Sequence, residues 1–342
     1  MSIQSDFPAI ADGARGRGAA LSTASAGAQT RNWQSRALVF LLVGMLIYIA
    51  VYAVADQLVY QYAKRNRFFA IKTAPYSDYT YVILGASHAA ALDYEDMTVQ
   101  LERMTGAKIL NLSTVGGGIT VNRLLLDYFL AQHRTASIVY VLDSFAFYSA
   151  QWNEERLSDT ALFNRAPFDL ALVPVLLQNP ASRGAAFDYL IGFSKINNAD
   201  RFKPDIGDDE ATKFNKTYRP VKQIDDQRLK YLYPKPVEPE TFRRYVAEFE
   251  DLLRHANQRN MRVVVVKPPV PTRFYNVLPN EAQFDETLKP LLAQYGAEFH
   301  DFSLVGNDEK FFFNTDHLNK TGVLNLFENY MKPILAQQNQ AK

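Results

Sequence analysis

The sequence predicts an α/β protein: a doubly wound, mostly parallel sheet of five strands with a helical and loop insertion, preceded by one N-terminal transmembrane helix. Three observations lead to this reading. Short apolar runs alternate with helical patterns from about residue 77 to residue 337. The alternation breaks once, between about 150 and 240, where Pro167, Pro174, Pro180, Pro204, Pro220 and Pro234 leave no clean period. Residues 37–55 contain no charged side chain.

The first 36 residues are rich in Gly, Ala and Ser and lack an apolar period, which predicts a disordered tail. The run "ALVFLLVGMLIYIAVYAVA" at 37–55 follows. As a helix it extends ~28 Å, close to a bilayer core. Trp33 precedes it and Tyr60 and Tyr62 follow it, where an aromatic belt is placed. A run apolar on every face does not suit a buried soluble helix. "AVA" at 53–55 also matches a signal-peptide cleavage site, but the run and the leader before it are long for one, and a retained anchor is the reading adopted. Arg15, Arg17, Arg31 and Arg36 before the span balance Lys64, Arg65, Arg67 and Lys72 after it, so charge does not orient it. Residues 56–76 read as a linker.

Five runs then read as strands: "YTYVILG" (79–85), "AKILNLS" (107–113), "ASIVYVLD" (136–143), "MRVVVVKPP" (261–269) and "AEFHDFS" (297–303). Continuous apolar runs such as "RVVVVK" suit strands covered on both faces. Helical patterns fall at 94–104, 122–133, 239–260 and 321–337; in the last, Val323, Leu326, Phe327, Tyr330, Met331 and Ile334 share a face. The 150–240 insertion reads as short helices and loops, long enough to cover a site.

Composition narrows the chemistry. A net charge of +1 over 342 residues gives no electrostatic case for nucleic acid. With no cysteine, disulfides and thiolate metal sites are excluded. His133, His255 and His300 fall within or at the ends of elements and form no metal-ligand spacing, and "GGG" is not a dinucleotide fingerprint, so neither a metal nor a cofactor is expected.

In an open α/β sheet ligands sit at the carboxyl ends of the strands. The polar residues there are Ser87 and His88 after the first strand, Gly116, Gly117 and Gly118 after the second, and Asp143 and Ser144 after the third. Lys267 and Arg273 follow the fourth, and His317 follows the fifth. Serine becomes a nucleophile when an imidazole takes its proton. An oxyanion needs fixed N–H donors, which a glycine turn presents closely. Taken singly, each has a plainer role: Ser87 as a helix cap, "GGG" as a turn, His317 as a loop histidine. His88 reads as structural or substrate-facing rather than as the base.

Order and spacing resemble the SGNH (GDSL-type) hydrolase superfamily, over residues 79–148 and 260–335. "GASHA" at 85–89 matches the nucleophile block, with Ala86 in place of the usual Asp. "NLSTVGG" at 111–117 resembles the second block, pointing to Gly116 as an oxyanion donor. "VLDSFAF" at 141–147 stands in the third block without its usual Asn, and "NTDHLN" at 314–319 matches the last block with Asn314 where Asp is usual. The resemblance implies an SGNH-like, flavodoxin-like fold. It implies Ser87 as nucleophile, His317 as base and an oxyanion hole from the N–H groups of Ser87 and Gly116, with Gly117, Ser144 and His88 beside the site. The base is oriented by Asn314 or Asp316; Asn314, three residues back, is favoured, with Asp316 as a cap of the last helix.

One span plus an SGNH-like domain is also similar to accessory proteins of cell-surface polymer acylation, such as the D-alanyl transfer protein of lipoteichoic acid synthesis and the alginate O-acetylation proteins. That likeness implies a single-pass protein of the cell inner membrane with a periplasmic domain. The substrates implied are a polysaccharide and an acyl donor, with a membrane-bound O-acyltransferase as partner. Two functions follow: a membrane-anchored serine acyltransferase or esterase acting on acyl, chiefly acetyl, groups of an extracytoplasmic polysaccharide, or an inactive carbohydrate-binding scaffold of a synthesis or export complex. The second draws on the three departures, Ala86, the absent third-block Asn and Asn314.

Overall fold

The computed structural model describes residues 20–63, 66–158, 161–197, 211–234 and 236–336. The chain divides into two units, Met1–Ala53 and Val54–Lys342. Residues 1–19 of the predicted tail lie outside the described residues. A helix runs Ala20–Tyr62, so helix begins within the stretch read as tail and continues into the stretch read as linker. Its portion Asn32–Tyr62 is long and apolar enough to cross a membrane, and the large apolar side chains from Leu38 to Val51 are exposed.

In the larger unit the five strands are β1 (Asp78–Leu84), β2 (Ile109–Asn111), β3 (Arg134–Val141), β4 (Arg262–Lys267) and β5 (Glu298–Asp301). β2, β4 and β5 fall within runs that the sequence marked, while β1 begins one residue and β3 two residues before theirs. They form one parallel sheet in the order β2-β1-β3-β4-β5, with Val82 opposite Leu110 on one side and Ile138 on the other. Alternate side chains feed two cores. Tyr79, Val82, Leu84, Ile138, Tyr140, Val263 and Val265 pack under the helices Ile119–Leu130, Pro239–Gln258 and Glu281–Gln294. Tyr81, Ile83, Val139, Val141, Val264 and Val266 pack under Met97–Thr105 and the C-terminal helix. The four consecutive valines of β4 are buried, each stabilising the fold by ~1.5–3 kcal/mol relative to exposure.

Two helices differ from expectation. Glu281–Gln294 carried no clear sequence signal because Pro290 stands inside it, although Phe284, Leu288 and Leu292 share its buried face. The C-terminal helix is not uniform: α-helix at Lys320–Leu326 passes through a π-helical turn at Phe327–Met331 into α-helix at Lys332–Ala336. Pro333 lacks an N–H and its ring presses on the preceding turn, which a wider turn relieves. The insertion supplies short helices, among them Glu154–Ser158, Leu172–Gln178, Arg183–Ile191, Phe193–Ile196 and Lys222–Leu232.

Candidate active site

The chain leaves β1 toward β2 on one side, and β3 pairs on the other, so the sheet's topological switch point lies at the carboxyl end of β1. Gly85 makes the turn there at φ +143°. A Cβ on it would lie 2.8 Å from the Val141 carbonyl and 2.9 Å from Ala89, so only glycine fits. Its N–H donates to Asn122 Oδ1 at 2.9 Å. Ser87 then opens the short helix Ser87–Ala90 and is nearly buried.

The second loop is zipped to the first by Thr114 N–H donating to the Gly85 carbonyl at 3.2 Å. Gly116 has φ +68°, and a Cβ there would meet the Trp152 ring at 3.2 Å. Gly117 N–H donates to the Thr114 carbonyl at 2.7 Å and Gly118 N–H to the Trp152 carbonyl at 2.6 Å, so both donors are already engaged. Among the described residues the N–H groups of Ser87 and Gly116 have no hydrogen-bond partner. Asn153, fully buried, locks the turn: Oδ1 accepts from Thr120 N at 3.1 Å, and Nδ2 donates to the Ala146 and Ser149 carbonyls at 2.8 and 3.0 Å.

His317 is held in a loop closed by the antiparallel bridge Phe312–Leu318 and is fully buried, with Phe313 stacked on its ring at 5.7 Å. Asn314 Oδ1 accepts from the backbone N–H of His317 at 2.8 Å and of Asp316 at 3.2 Å, and lies 3.0 Å from His317 Nδ1. Asp316 Oδ1 lies 3.2 Å from the same Nδ1. Nδ1 thus faces two acceptors and also the donor Asn314 Nδ2 at 2.9 Å, while Nε2 faces the donor-only guanidinium of Arg228 at 3.5 Å. The guanidinium donor at Nε2 and the acceptors Asn314 Oδ1 and Asp316 Oδ1 at Nδ1 favour the proton on Nδ1 and the lone pair on Nε2, the tautomer that a general base requires. Ser87 Oγ, however, forms no hydrogen bond with His317 among the described residues.

Three sequence expectations are corrected by these contacts. Asp316 is not the cap of the last helix. Asn319 is, its side chain accepting from Gly322 N at 2.9 Å, because Asn319 directly precedes the helix and Asp316 does not. Asp316 is instead fully buried, its oxygens accepting from Arg228 Nε at 2.9 and 3.1 Å. Ser144 turns away from the site. Its hydroxyl donates to Glu281 and lies 2.6 Å from Tyr233 OH, while Glu281 and Asp285 both accept from the buried Lys267 Nζ at 2.8 Å. Gly117 offers no free donor.

His88 has a larger part than the sequence suggested. Its Nδ1 bonds Asp143 Oδ1 at 2.6 Å across the switch point, its Nε2 lies 3.5 Å from Asp316 Oδ2, and its ring is 4.7 Å from that of His317. Burial alone would push the imidazole down, but Asp143 and then Asp316 raise it to about 10. Burial also works to raise Asp316, yet Arg228, His317 and His88 hold its carboxyl well below the ordinary range. The folded state therefore binds the His88 proton more tightly than the unfolded chain, where the group titrates near 6.5. Its stabilising contribution is complete below pH 6.5 and is lost as pH rises toward about 10. The melting temperature is expected to fall across that window, and His88→Gln is expected to flatten the fall; an equally steep profile in the variant would reject the pairing.

His88, Asp316 and His317 place their ligand atoms within 4.8 Å of one another, a spacing that suits a metal. These side chains are already engaged, because Asp316 accepts from Arg228 Nε and His88 Nδ1 bonds Asp143. Beside His88 an apolar cavity of about 10 Å³, lined also by Leu92, Val141, Val266 and Met331, has room for roughly one water and not for an acyl chain.

No family model and no curated protein matches this chain. A crystal structure from Bacteroides fragilis NCTC 9343, provisionally assigned as an acylhydrolase, is similar at 10% identity and a TM-score of 0.36, over 78% of this chain and 89% of that one.

Sequence reasoning missed Arg228 and the role of Asp143. Arg228 lies in the insertion helix Lys222–Leu232, 88 residues from Asp316, and nothing local marks it. Asp143 stood among the strand-end residues, but only the pairing of β1 with β3 brings it to His88.

Proposed function

We propose that this protein is a membrane-anchored serine esterase or O-acyltransferase that acts on acyl, chiefly acetyl, groups of an extracytoplasmic polysaccharide. The observation that carries the chemistry is the pair of unbonded N–H groups, of Ser87 and of Gly116 at φ +68°, beside a serine that opens a helix at the switch point. Fixed backbone donors are what a tetrahedral oxyanion needs. Ser87 Oγ would attack the acyl carbonyl and pass its proton to His317 Nε2, and His317 would then protonate the leaving alkoxide. Water or a sugar hydroxyl would take the acyl group from Ser87 in the second half. Arg228 now faces the Nε2 lone pair, so its guanidinium must give way as Ser87 engages. The apolar helix Asn32–Tyr62 supports the anchor. The polymer, the periplasmic placement and a membrane-bound O-acyltransferase partner rest on the sequence resemblance.

Asn314 supports the tautomer without a charge. Asn314→Asp is expected to keep or raise turnover of an aryl acetate, because a carboxylate in its place stabilises the imidazolium that forms. A loss of activity in a variant with unchanged melting would move the orienting role to Asp316.

The absence of a Ser87–His317 hydrogen bond favours a second reading, a carbohydrate-binding scaffold with an inert serine. A fluorophosphonate probe separates the two: an activated Ser87 is labelled and an inert one is not.

A further inference from the structure

The insertion carries an apolar surface that the proposed chemistry does not use. In the helix Arg183–Ile191, the inner face is Ala185, Ala186 and Tyr189. The outer face, where a surface helix normally carries charge, presents Phe187, Leu190 and Ile191, with Phe187 68% exposed. Their i, i+3, i+4 spacing makes one stripe. Leu177, whose carbonyl accepts from Arg183 Nε at 2.9 Å, and Phe193, directly after the left-handed Gly192 cap, are exposed as well. A helical stripe of this kind differs from apolar side chains scattered singly over a surface.

Its position is fixed by a buried pin. Lys195 is 2% exposed; its Nζ bonds Asp56 Oδ1 and the Ala166 carbonyl, each at 2.7 Å. Asp56 Oδ1 also accepts from Phe168 N at 2.8 Å. Asp56 is the residue directly after the uncharged run 37–55. The helices that bear the patch are thus tied to the point where the chain passes into that run.

We propose that the Phe187–Leu190–Ile191 face, with Leu177 and Phe193, is a docking surface that lies in the headgroup region of a lipid bilayer. The inference rests on the reading of 37–55 as a membrane anchor. Continuity with that run selects the occupant: the bilayer is the one apolar phase that the run would always keep within reach of Asp56. Aliphatic and Phe side chains without polar tips suit acyl chains, and interfacial helices bury such a face ~5–10 Å deep.

The native chain has no cysteine, so single-cysteine variants report one position each. Full-length Phe187→Cys, Leu190→Cys, Leu46→Cys and Arg254→Cys, labelled with an environment-sensitive fluorophore, are reconstituted in phosphatidylethanolamine–phosphatidylglycerol vesicles that contain lipids spin-labelled high or low on the acyl chain. Quenching at 187 and 190 by the shallow label, at 46 by the deep label and at 254 by neither is the expected result. Quenching at 46 with positions 187 and 190 as unquenched as 254 overturns the docking surface and leaves the anchor. No quenching at 46 overturns the anchor and the inference with it. A blue-shifted probe at 187 that no lipid quenches means that protein covers the patch, which also overturns the inference.

Discussion

Ser87→Ala is expected to lower acyl transfer and esterase turnover by ~10⁴-fold or more and to leave the melting temperature unchanged. The two halves of this expectation have separate causes. The rate falls because the nucleophile itself is lost, and the serine after the third strand, Ser144, is committed to Glu281 and Tyr233. Stability holds because Ser87 Oγ makes no hydrogen bond among the described residues, and alanine is at least as good a helix former. Turnover is read on an aryl acetate and labelling with a fluorophosphonate. A variant with native turnover ends the serine mechanism. Wild type that neither turns over nor labels leaves the scaffold.

The largest loss of stability is expected from Asp316→Ala. Asp316 is fully buried between the Arg228 guanidinium and the His88 imidazolium. Its removal leaves two cations facing each other in a water-poor site, at a cost of about 3–5 kcal/mol. For a domain of this size that corresponds to a fall of about 10 °C in melting temperature. The carboxylate's own contribution is present above its ordinary value of 3.8 and is lost as pH falls through the depressed folded value. The double variant Arg228→Met, Asp316→Leu should be less damaged than Asp316→Ala, because it removes one cation together with its partner. If the single and double variants melt alike, the cost lies in packing rather than in charge.

The sheet was legible because its central strands carry continuous buried apolar runs, and a run such as "RVVVVK" has little other use. The loops at the strand ends followed from it, as did Gly85 and Gly116, whose positive φ values satisfy what a glycine in a tight turn usually implies. What escaped was set by distance along the chain. Arg228 reaches Asp316 across 88 residues and Lys195 reaches Asp56 across 139, and no local pattern encodes either. Asp316 was misread because adjacency to His317 suggested divergence, whereas the tight Asn314–His317 turn brings both side chains to one buried point. Ser144 was misread because its true acceptor, Glu281, begins a helix that Pro290 concealed.

Asn319 has a consequence beyond the end of one helix. Besides capping Gly322, it donates to the carbonyls of Lys216 and Lys310 at 3.1 and 2.8 Å. Lys320 N–H donates to the Phe214 carbonyl and Tyr218 N–H to the Phe312 carbonyl. Arg273 adds Asp225 of the insertion helix and the Thr315 carbonyl of the histidine loop. The returning limb of the insertion is therefore stitched into the loop that presents His317. It is not a cover that can be excised to leave a minimal enzyme. Shortening it would unmoor the base, and the loop, the limb and the final helix should open and close to solvent exchange as one cooperative body.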